Sequence, residues 1–177
     1  MTPNSAAHSD ARRSTALCKG PASARRWLRT LDSSYAMAPG LEIRVVDMDD
    51  DYLGINIAAS SGRFSGSARI YAGLTQLTEF ASAMAGFPSS ADDRRSYEFG
   101  VRKPGYAGGF MQLAFHCQDG AGHAAVTVAI EDDAQLHAKA SATFSFPFEA
   151  AELDRFLTTL RKLERTKNGH ATLVAAV

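Results

Sequence analysis

The chain has few of the features that mark secreted or membrane proteins. Its 177 residues include two cysteines, Cys18 and Cys117, which lie far apart in sequence. A disulfide framework is therefore not expected, and a reducing compartment is the simpler interpretation. No apolar run approaches the roughly 20 residues that a membrane-spanning helix needs. These absences predict a cytoplasmic protein with no membrane partner.

An excess of charge of either sign is also missing. Lysine and arginine together number 19, and aspartate and glutamate together also number 19. No global field then attracts nucleic acid, so we expect no nucleic-acid partner. With 45% hydrophobic and 21% charged residues, the composition is that of a domain with a core of useful size.

The sequence motifs of common enzyme classes are absent. We find no G-x-S-x-G, H-E-x-x-H, C-x-x-C or Walker sequence. A nucleophile and its base can lie far apart in sequence, so this absence weakens an enzymatic hypothesis without excluding it. The glycine-rich segment 103–109 lacks phosphate-loop spacing and precedes no helix, which favours a hairpin loop with Tyr106 as a possible partner contact at its tip. The prediction is a non-enzymatic chain that needs no cofactor.

Composition divides the chain into three parts. Residues 1–39 are rich in arginine, serine and alanine and show no apolar periodicity, which favours a disordered N-terminal tail. A transit peptide, or a translation start at Met37, are the alternatives. Residues 40–165 carry clear periodicity and are predicted to form a single domain. Residues 166–177 are interpreted as a C-terminal tail.

The clearest pattern lies in residues 139–163, where a strand runs into a helix. Alternate positions from Ala140 to Phe148 are apolar, and Ser141, Thr143 and Ser145 lie between the first four of them, which is the period of a half-buried strand. Beyond Phe148 the apolar residues recur three and four positions apart, which is typical of one helix face. Both elements require a shared core.

The rest of the domain follows the same two periods. Three alternating segments from Leu41 to Tyr71 predict a meander, a helix follows to Gly86, and four more strands precede the last helix. The predicted fold class is α+β, with an antiparallel sheet of about seven strands in βββαββββα order and two helices packed on one face. Gly66 in mid-strand indicates a β-bulge, with a close backbone approach as the alternative.

The Asp119-Gly120 pair predicts a two-residue hairpin turn, because both residues tolerate the positive φ that such a turn requires. Centring the hairpin there pairs Phe115 with Ala124 and puts His116 beside His123. Two imidazoles would make half of a zinc site, but no further ligand is obviously placed to complete it. An exposed structural role, a metal sensor and a pH-sensitive contact stay open for this polar-face pair, and we predict no metal site.

The acidic run from Asp47 to Asp51 matches part of the pattern of a calcium-binding loop. Alternate aspartates suit such a loop, but Tyr52 and Ala58 stand where it needs glycine and glutamate. A turn is therefore the preferred interpretation.

Three segments together resemble the WapI-type bacterial immunity proteins and their uncharacterised relatives. They are G-R-F-S-G at 62–66 before a helix, G-H at 122–123 opening an alternating strand, and a phenylalanine-rich strand that runs into E-L-D-R-F-L at 152–157. The similarity covers about residues 41–163. It implies a protein that binds a toxin encoded by a neighbouring gene and neutralises it, in some cases a nuclease.

From this resemblance and the missing catalytic motifs, the function is predicted as a non-enzymatic protein-binding module, an immunity protein whose partner is a cognate toxin. The candidate partner-binding residues are charged or aromatic and lie in turns and on outward faces: Asp47, Asp49, Asp50, Asp51, Glu98, Asp119, Glu131, Asp132, Asp133 and Tyr106. The alternative is a small-molecule-binding or hydrolase-like domain that uses the concave sheet face near His116, His123, Arg63 or Arg69.

Overall fold

The computed structural model describes residues 37–102, 108–121, 123–132 and 139–176. Most of the predicted N-terminal tail, Tyr106 and Asp133 lie outside the described residues. The elements are β1 Gly40–Met48, β2 Leu53–Ser60, β3 Ser65–Ala72, α1 Gln76–Ala83, β4 Arg94–Gly100, β5 Phe110–Cys117, β6 His123–Asp132, β7 Ala140–Glu149, α2 Ala150–Thr166 and β8 Gly169–Val174.

The predicted α+β class with antiparallel pairing is confirmed, but the strands form two sheets. Sheet A has the order β3-β2-β1-β8 and sheet B the order β4-β5-β6-β7. The prediction of one sheet with about seven strands is therefore corrected to two four-stranded sheets in the described part of the chain. Local alternation shows that a segment is a strand, but it does not show which neighbour the strand pairs with.

Both sheets and both helices contribute to one core. Many of the strand residues predicted to face inward are buried, among them Leu41 and Ile43 on β1 and Phe144, Phe146 and Phe148 on β7, whereas Ala140 at the start of β7 is exposed. The helices add Phe80 from α1 and the leucine stripe of α2, and all of these belong to the same contiguous cluster. The apolar faces of the two sheets are thus buried together with the helices, as the periodicity requires.

The predicted C-terminal tail is wrong for residues 169–174, because these form β8. Lys167 ends α2 in the left-handed conformation (φ 54°), and its N–H donates to the Leu163 carbonyl at 2.7 Å. The chain then turns back and pairs with β1, which places Ala171 opposite Ile43 and Leu173 opposite Leu41. A strand of six residues with two buried side chains is too short for its period to be distinctive.

The predicted register of the β5–β6 hairpin is shifted by two residues from the true one. Phe115 lies opposite Val126, and His116 lies opposite Ala125 instead of His123. The turn is longer than two residues because the Asp119 carboxylate accepts the N–H groups of Ala121 (2.8 Å) and His123 (3.3 Å). A two-residue shift leaves every side chain on its predicted face, so alternation alone could not detect the error.

Gly66 is not in a bulge. It pairs regularly with Ala59, and a Cβ placed on it would lie 2.9 Å from Cγ2 of Ile130 in sheet B. Gly109 is similarly confined, since its Cβ would lie 2.5 Å from that of Ala68. The glycines therefore permit close contact between the edge strand of sheet A and sheet B, and the observed bulge lies in β1, between Val45 and Asp47.

The short helix α1 is bound to α2 by two polar contacts. Glu164 of α2 accepts the N–H of Thr78 at 2.8 Å and its hydroxyl at 2.5 Å. Arg161 of α2 donates to the carbonyl of Ala81 at 2.9 Å. A carboxylate thus lies at the N-terminal turn of α1 and a guanidinium near its C-terminal end, which complements the dipole of that helix.

Candidate functional site

The bulge in β1 determines on which side of sheet A the first carboxylate of the acidic run lies. Leu41, Ile43 and Val45 alternate inward, and regular continuation would point Asp47 into the core. The register shift instead places Asp47 opposite Gly54. Its carboxylate lies 3.2 Å from the guanidinium of Arg69 on β3, and both side chains are about half exposed. The extra residue therefore moves a carboxylate to the solvent side of the sheet.

The turn that follows presents three further carboxylates to solvent. Asp49, Asp50 and Asp51 are all exposed. The turn is closed by the Asp49 N–H, which donates to the Tyr52 carbonyl at 3.0 Å, while an Asp49 side-chain oxygen accepts the Asp50 N–H at 2.7 Å. The four aspartates predicted as partner contacts are thus brought together, and a short network of local hydrogen bonds orders their backbone.

Apolar and aromatic side chains surround these carboxylates. Val46, Met48 and Tyr71 are 46%, 47% and 39% exposed. The Tyr71 ring meets Tyr52 edge-on with centroids 5.1 Å apart, and the Arg69 guanidinium lies over Tyr71 at 5.9 Å. We call residues 46–52 together with Arg69 and Tyr71 the hairpin surface. It combines exposed apolar area with charge, which is typical of the residues that contact other proteins.

Tyr52 remains a hydrogen-bond donor in this surface. Desolvation of its hydroxyl, followed by the negative charges of Asp49 and Asp47, raises the pKa of Tyr52 above its ordinary value. The hydroxyl is therefore protonated at neutral pH and available to an acceptor on a partner.

The other predicted partner residues do not join the hairpin surface. Glu98 and Glu131 lie on the outer face of sheet B, where Glu98 accepts from Gln112 at 2.8 Å and Glu131 pairs with Arg102 at 2.9 Å. Asp132 ends β6, and Asp119 lies in the β5–β6 turn. The structure thus divides the predicted set among at least two separate places.

His123 belongs to an acidic group and not to a histidine pair. Its Nδ1 lies 2.6 Å from Asp119 and its Nε2 lies 3.6 Å from Glu149. The hydrogen bond that the imidazole donates to Asp119 raises the pKa of His123, and the charges of Asp119 and Glu149 raise it further. The same hydrogen bond lowers the pKa of Asp119. Among the described residues, no three His, Cys, Asp or Glu side chains are grouped closely enough to hold a metal ion.

His116 instead lines a cleft on the outer face of sheet B. The strand register places Arg94, His116 and Ala125 in one row and Ser96, Ala114 and Thr127 in the next. The cleft has a volume of about 510 Å³. Its described lining includes neither His123 of the predicted polar-face pair nor Arg63 or Arg69 of the alternative small-molecule site. No sequence signal indicated it, because it depends on how β4 pairs with β5.

These features define a two-sheet α+β domain with an exposed acidic and aromatic hairpin. Comparison of the chain with known protein families, with curated proteins and with solved structures gives no match. Neither α1 nor α2, the helices of the described residues, has the length and apolarity that crossing a membrane requires.

Proposed function

We propose that this protein is a non-enzymatic binding module of the immunity class, which neutralises a basic toxin by covering it with the hairpin surface. The observation that carries the proposal is the exposure of Val46, Met48 and Tyr71 next to four solvent-exposed aspartates. Apolar and aromatic area supplies affinity when it is desolvated, and surrounding charge selects the partner and accelerates association.

The charge of the hairpin surface favours a basic partner. Four carboxylates against the one guanidinium of Arg69 leave it with a formal charge of −3, although the whole chain is neutral. Asp49, Asp50 and Asp51 make no ion pair with any described residue, so their charge is available to a partner. A nuclease that acts on RNA or DNA carries a positive substrate groove, to which such a surface is complementary.

The resemblance to WapI-type immunity proteins supports the same function independently of the hairpin. It rests on the three segments named above, whose described residues lie in the β2–β3 turn and the start of β3, in β6, and in β7 and α2. None of these lies in the hairpin surface. Differences between partners would then reside in exposed turns carried by a common scaffold. A binding surface on the β1–β2 turn agrees with this separation between a common scaffold and partner-specific turns.

The direct test is co-expression with the product of the neighbouring gene, followed by purification of the complex and a growth-protection assay. We expect a stable complex and protection. The double substitution Asp49→Lys and Asp50→Lys should raise the Kd about 100-fold or more, because it replaces attraction by repulsion at two positions. Tyr71→Ala should also weaken binding by removing an aromatic contact.

The matched control reverses two carboxylates outside the hairpin surface. Asp92→Lys and Asp154→Lys change the net charge equally, and both residues are exposed. Their double variant should bind with the affinity of the unaltered chain at physiological salt, apart from a small change in association rate. Absence of both complex and protection would sink the proposal, and equal losses in the two double variants would remove the hairpin surface from it.

The alternative of a small-molecule-binding or hydrolase-like domain stays a prediction, as does the absence of enzymatic activity. The apolar faces of both sheets are filled by the core. The cleft beside His116 lies on the opposite, outer face of sheet B.

A further inference from the structure

The cleft on the outer face of sheet B is floored by small side chains and bordered by an arginine and a histidine. Ser96, Ala114 and Thr127 form one row across β4, β5 and β6. In the adjacent row Arg94 lies directly opposite His116. Because Ala125 follows His116 in that row and is nearly completely buried, no long side chain fills the space beside the imidazole. The pairing of the strands therefore creates a recess with a guanidinium and an imidazole at one end.

These two groups have no partner of their own in the described part of the chain. Arg94 and His116 make no hydrogen bond or ion pair there. The nearest acids in sequence are engaged elsewhere, since Asp93 pairs with Arg95 at 2.8 Å and Asp119 pairs with His123. Among the residues that the structure describes, no acidic side chain lines the cleft.

Arg95 also lines the cleft, but its guanidinium is committed to the fold. It donates to the Asp93 carboxylate and to the carbonyls of Ala83 (3.0 Å), the last residue of α1, and of Ala85 (2.9 Å) just beyond it. Arg95 therefore holds the segment before β4 against α1. The contrast identifies Arg94 as the arginine of this cleft that is available to a ligand.

We propose that this cleft binds the phosphate group of a small molecule. The available groups are the Arg94 guanidinium, the His116 imidazole and the Ser96 hydroxyl, with Thr127 on the far side, already bonded to Ser145. A guanidinium pairs with two phosphate oxygens at once, and neighbouring donors can reach the others. A volume of about 510 Å³ is in the range of small-molecule sites. The site is independent of the hairpin surface.

The test is a titration followed by NMR amide and imidazole shifts, with inorganic phosphate in one arm and adenosine monophosphate in the other. Sodium chloride keeps the ionic strength constant, because exposed charges respond to salt alone. Saturable shifts at Ser96, Ala114 and His116 are expected in both arms. Tighter binding of adenosine monophosphate would identify a phosphomonoester as the ligand source, and equal binding would identify free phosphate.

Arg94→Gln should weaken binding of either probe by about tenfold or more, since it removes the charge-assisted pair. Arg94→Lys should restore part of the affinity. The matched control is Arg44→Gln on sheet A, an exposed arginine paired with Glu42, which should leave binding unchanged. Shifts that grow linearly without saturation, or saturation that survives Arg94→Gln, would overturn the proposal. Because Arg94 is exposed, its variants should keep the folded spectrum.

Discussion

Single residues decide which chemistry this fold exposes. Val46 is the extra residue of the β1 bulge, and its insertion turns Asp47 from the core side to the side of Arg69. Gly54 accommodates the result, because a Cβ there would lie 2.8 Å from that of Asp47. Without the bulge the next inward position would hold a carboxylate, which costs several kcal/mol to bury unpaired. The bulge in β1 thus places Asp47 on the solvent side of sheet A, where it becomes part of the hairpin surface.

The acidic run itself was visible in the sequence, and the bulge was not. Asp49, Asp50 and Asp51 could be predicted as exposed because aspartate favours turns and solvent. The position of Asp47 could not be predicted, since alternation from Leu41, Ile43 and Val45 puts that carboxylate on the inward face. Part of the hairpin surface therefore followed from the sequence, and the place of Asp47 beside Arg69 required the register of β1 with β2.

The group formed by Asp119, His123 and Glu149 gives a pH-dependent prediction. The folded pKa of His123 is raised above its ordinary value of about 6.5, and the main cause is the hydrogen bond that its imidazole donates to Asp119. Protonated His123 therefore contributes stability that is fully present below that ordinary pKa and is lost as pH rises through the raised one. Asp119→Asn should return the His123 pKa toward its ordinary value, measured by NMR titration of the imidazole.

The control for this titration is Glu131→Gln, which removes a carboxylate paired with Arg102 elsewhere on sheet B. This substitution should leave the pKa of His123 unchanged. If the pKa of His123 is the same in Asp119→Asn as in the unaltered chain, the contact with Asp119 is not the cause of the raised pKa.

At the scale of elements, the sequence predicted which segments form strands and helices better than it predicted how the strands pair. The strands at 41–48 and 139–149 and the helix that begins after Phe148 were recognised by period, because each presents an apolar face to the core. The β5–β6 register was wrong by two residues because hairpin pairing depends on the turn. The Asp119 side chain closes a longer turn than Asp119-Gly120 alone suggested.

The helix α1 is only eight residues long, and its own cap residue, Thr75, makes no side-chain capping bond. Such a helix is marginal in isolation. Glu164 of α2 satisfies the Thr78 N–H in place of a local cap. Glu164→Ala should therefore lower the free energy of unfolding by about 1–2 kcal/mol, the usual cost of losing a cap or a charged hydrogen bond. Urea unfolding followed by circular dichroism measures the change.

Glu152→Ala is the matched control, because it is the same substitution in the same helix. The Glu152 carboxylate lies in the first turn of α2, and Arg155, which is exposed, is its one ion-pair partner among the described residues. Its loss should therefore cost no more than about 0.5 kcal/mol. Equal costs for the two variants would contradict the assignment of Glu164 as the cap of α1.

At the scale of the molecule, the residues that the structure describes form one compact unit, in which the two sheets contact each other. Strand β3 of sheet A contacts β4, β5, β6 and β7 of sheet B. Gly66 and Gly109 allow this approach, since side chains at either position would meet atoms of the other sheet or of β3. The sequence could not show it, because the contacts join segments that are distant along the chain.

Phe80 of α1 is the residue through which this shared core can be tested. It is fully buried, and its ring lies 5.3 Å from Phe99, 6.1 Å from Phe115 and 6.3 Å from Phe156, centroid to centroid. If both sheets unfold as one unit, Phe80→Leu should lower the protection of amides in sheet A and sheet B by the same amount. Loss of buried volume predicts about 1–2 kcal/mol.

Native-state hydrogen exchange measures the amide protection at Ile57 in β2 and at Val128 in β6, which lie in the middle of their sheets. Phe64→Leu provides the control, because Phe64 is 67% exposed and the substitution should change neither amide. Equal losses at Ile57 and Val128 would show that the core couples the sheets. A loss at Val128 alone would mean that sheet A unfolds separately, in which case the hairpin surface would stand on an independently stable sheet.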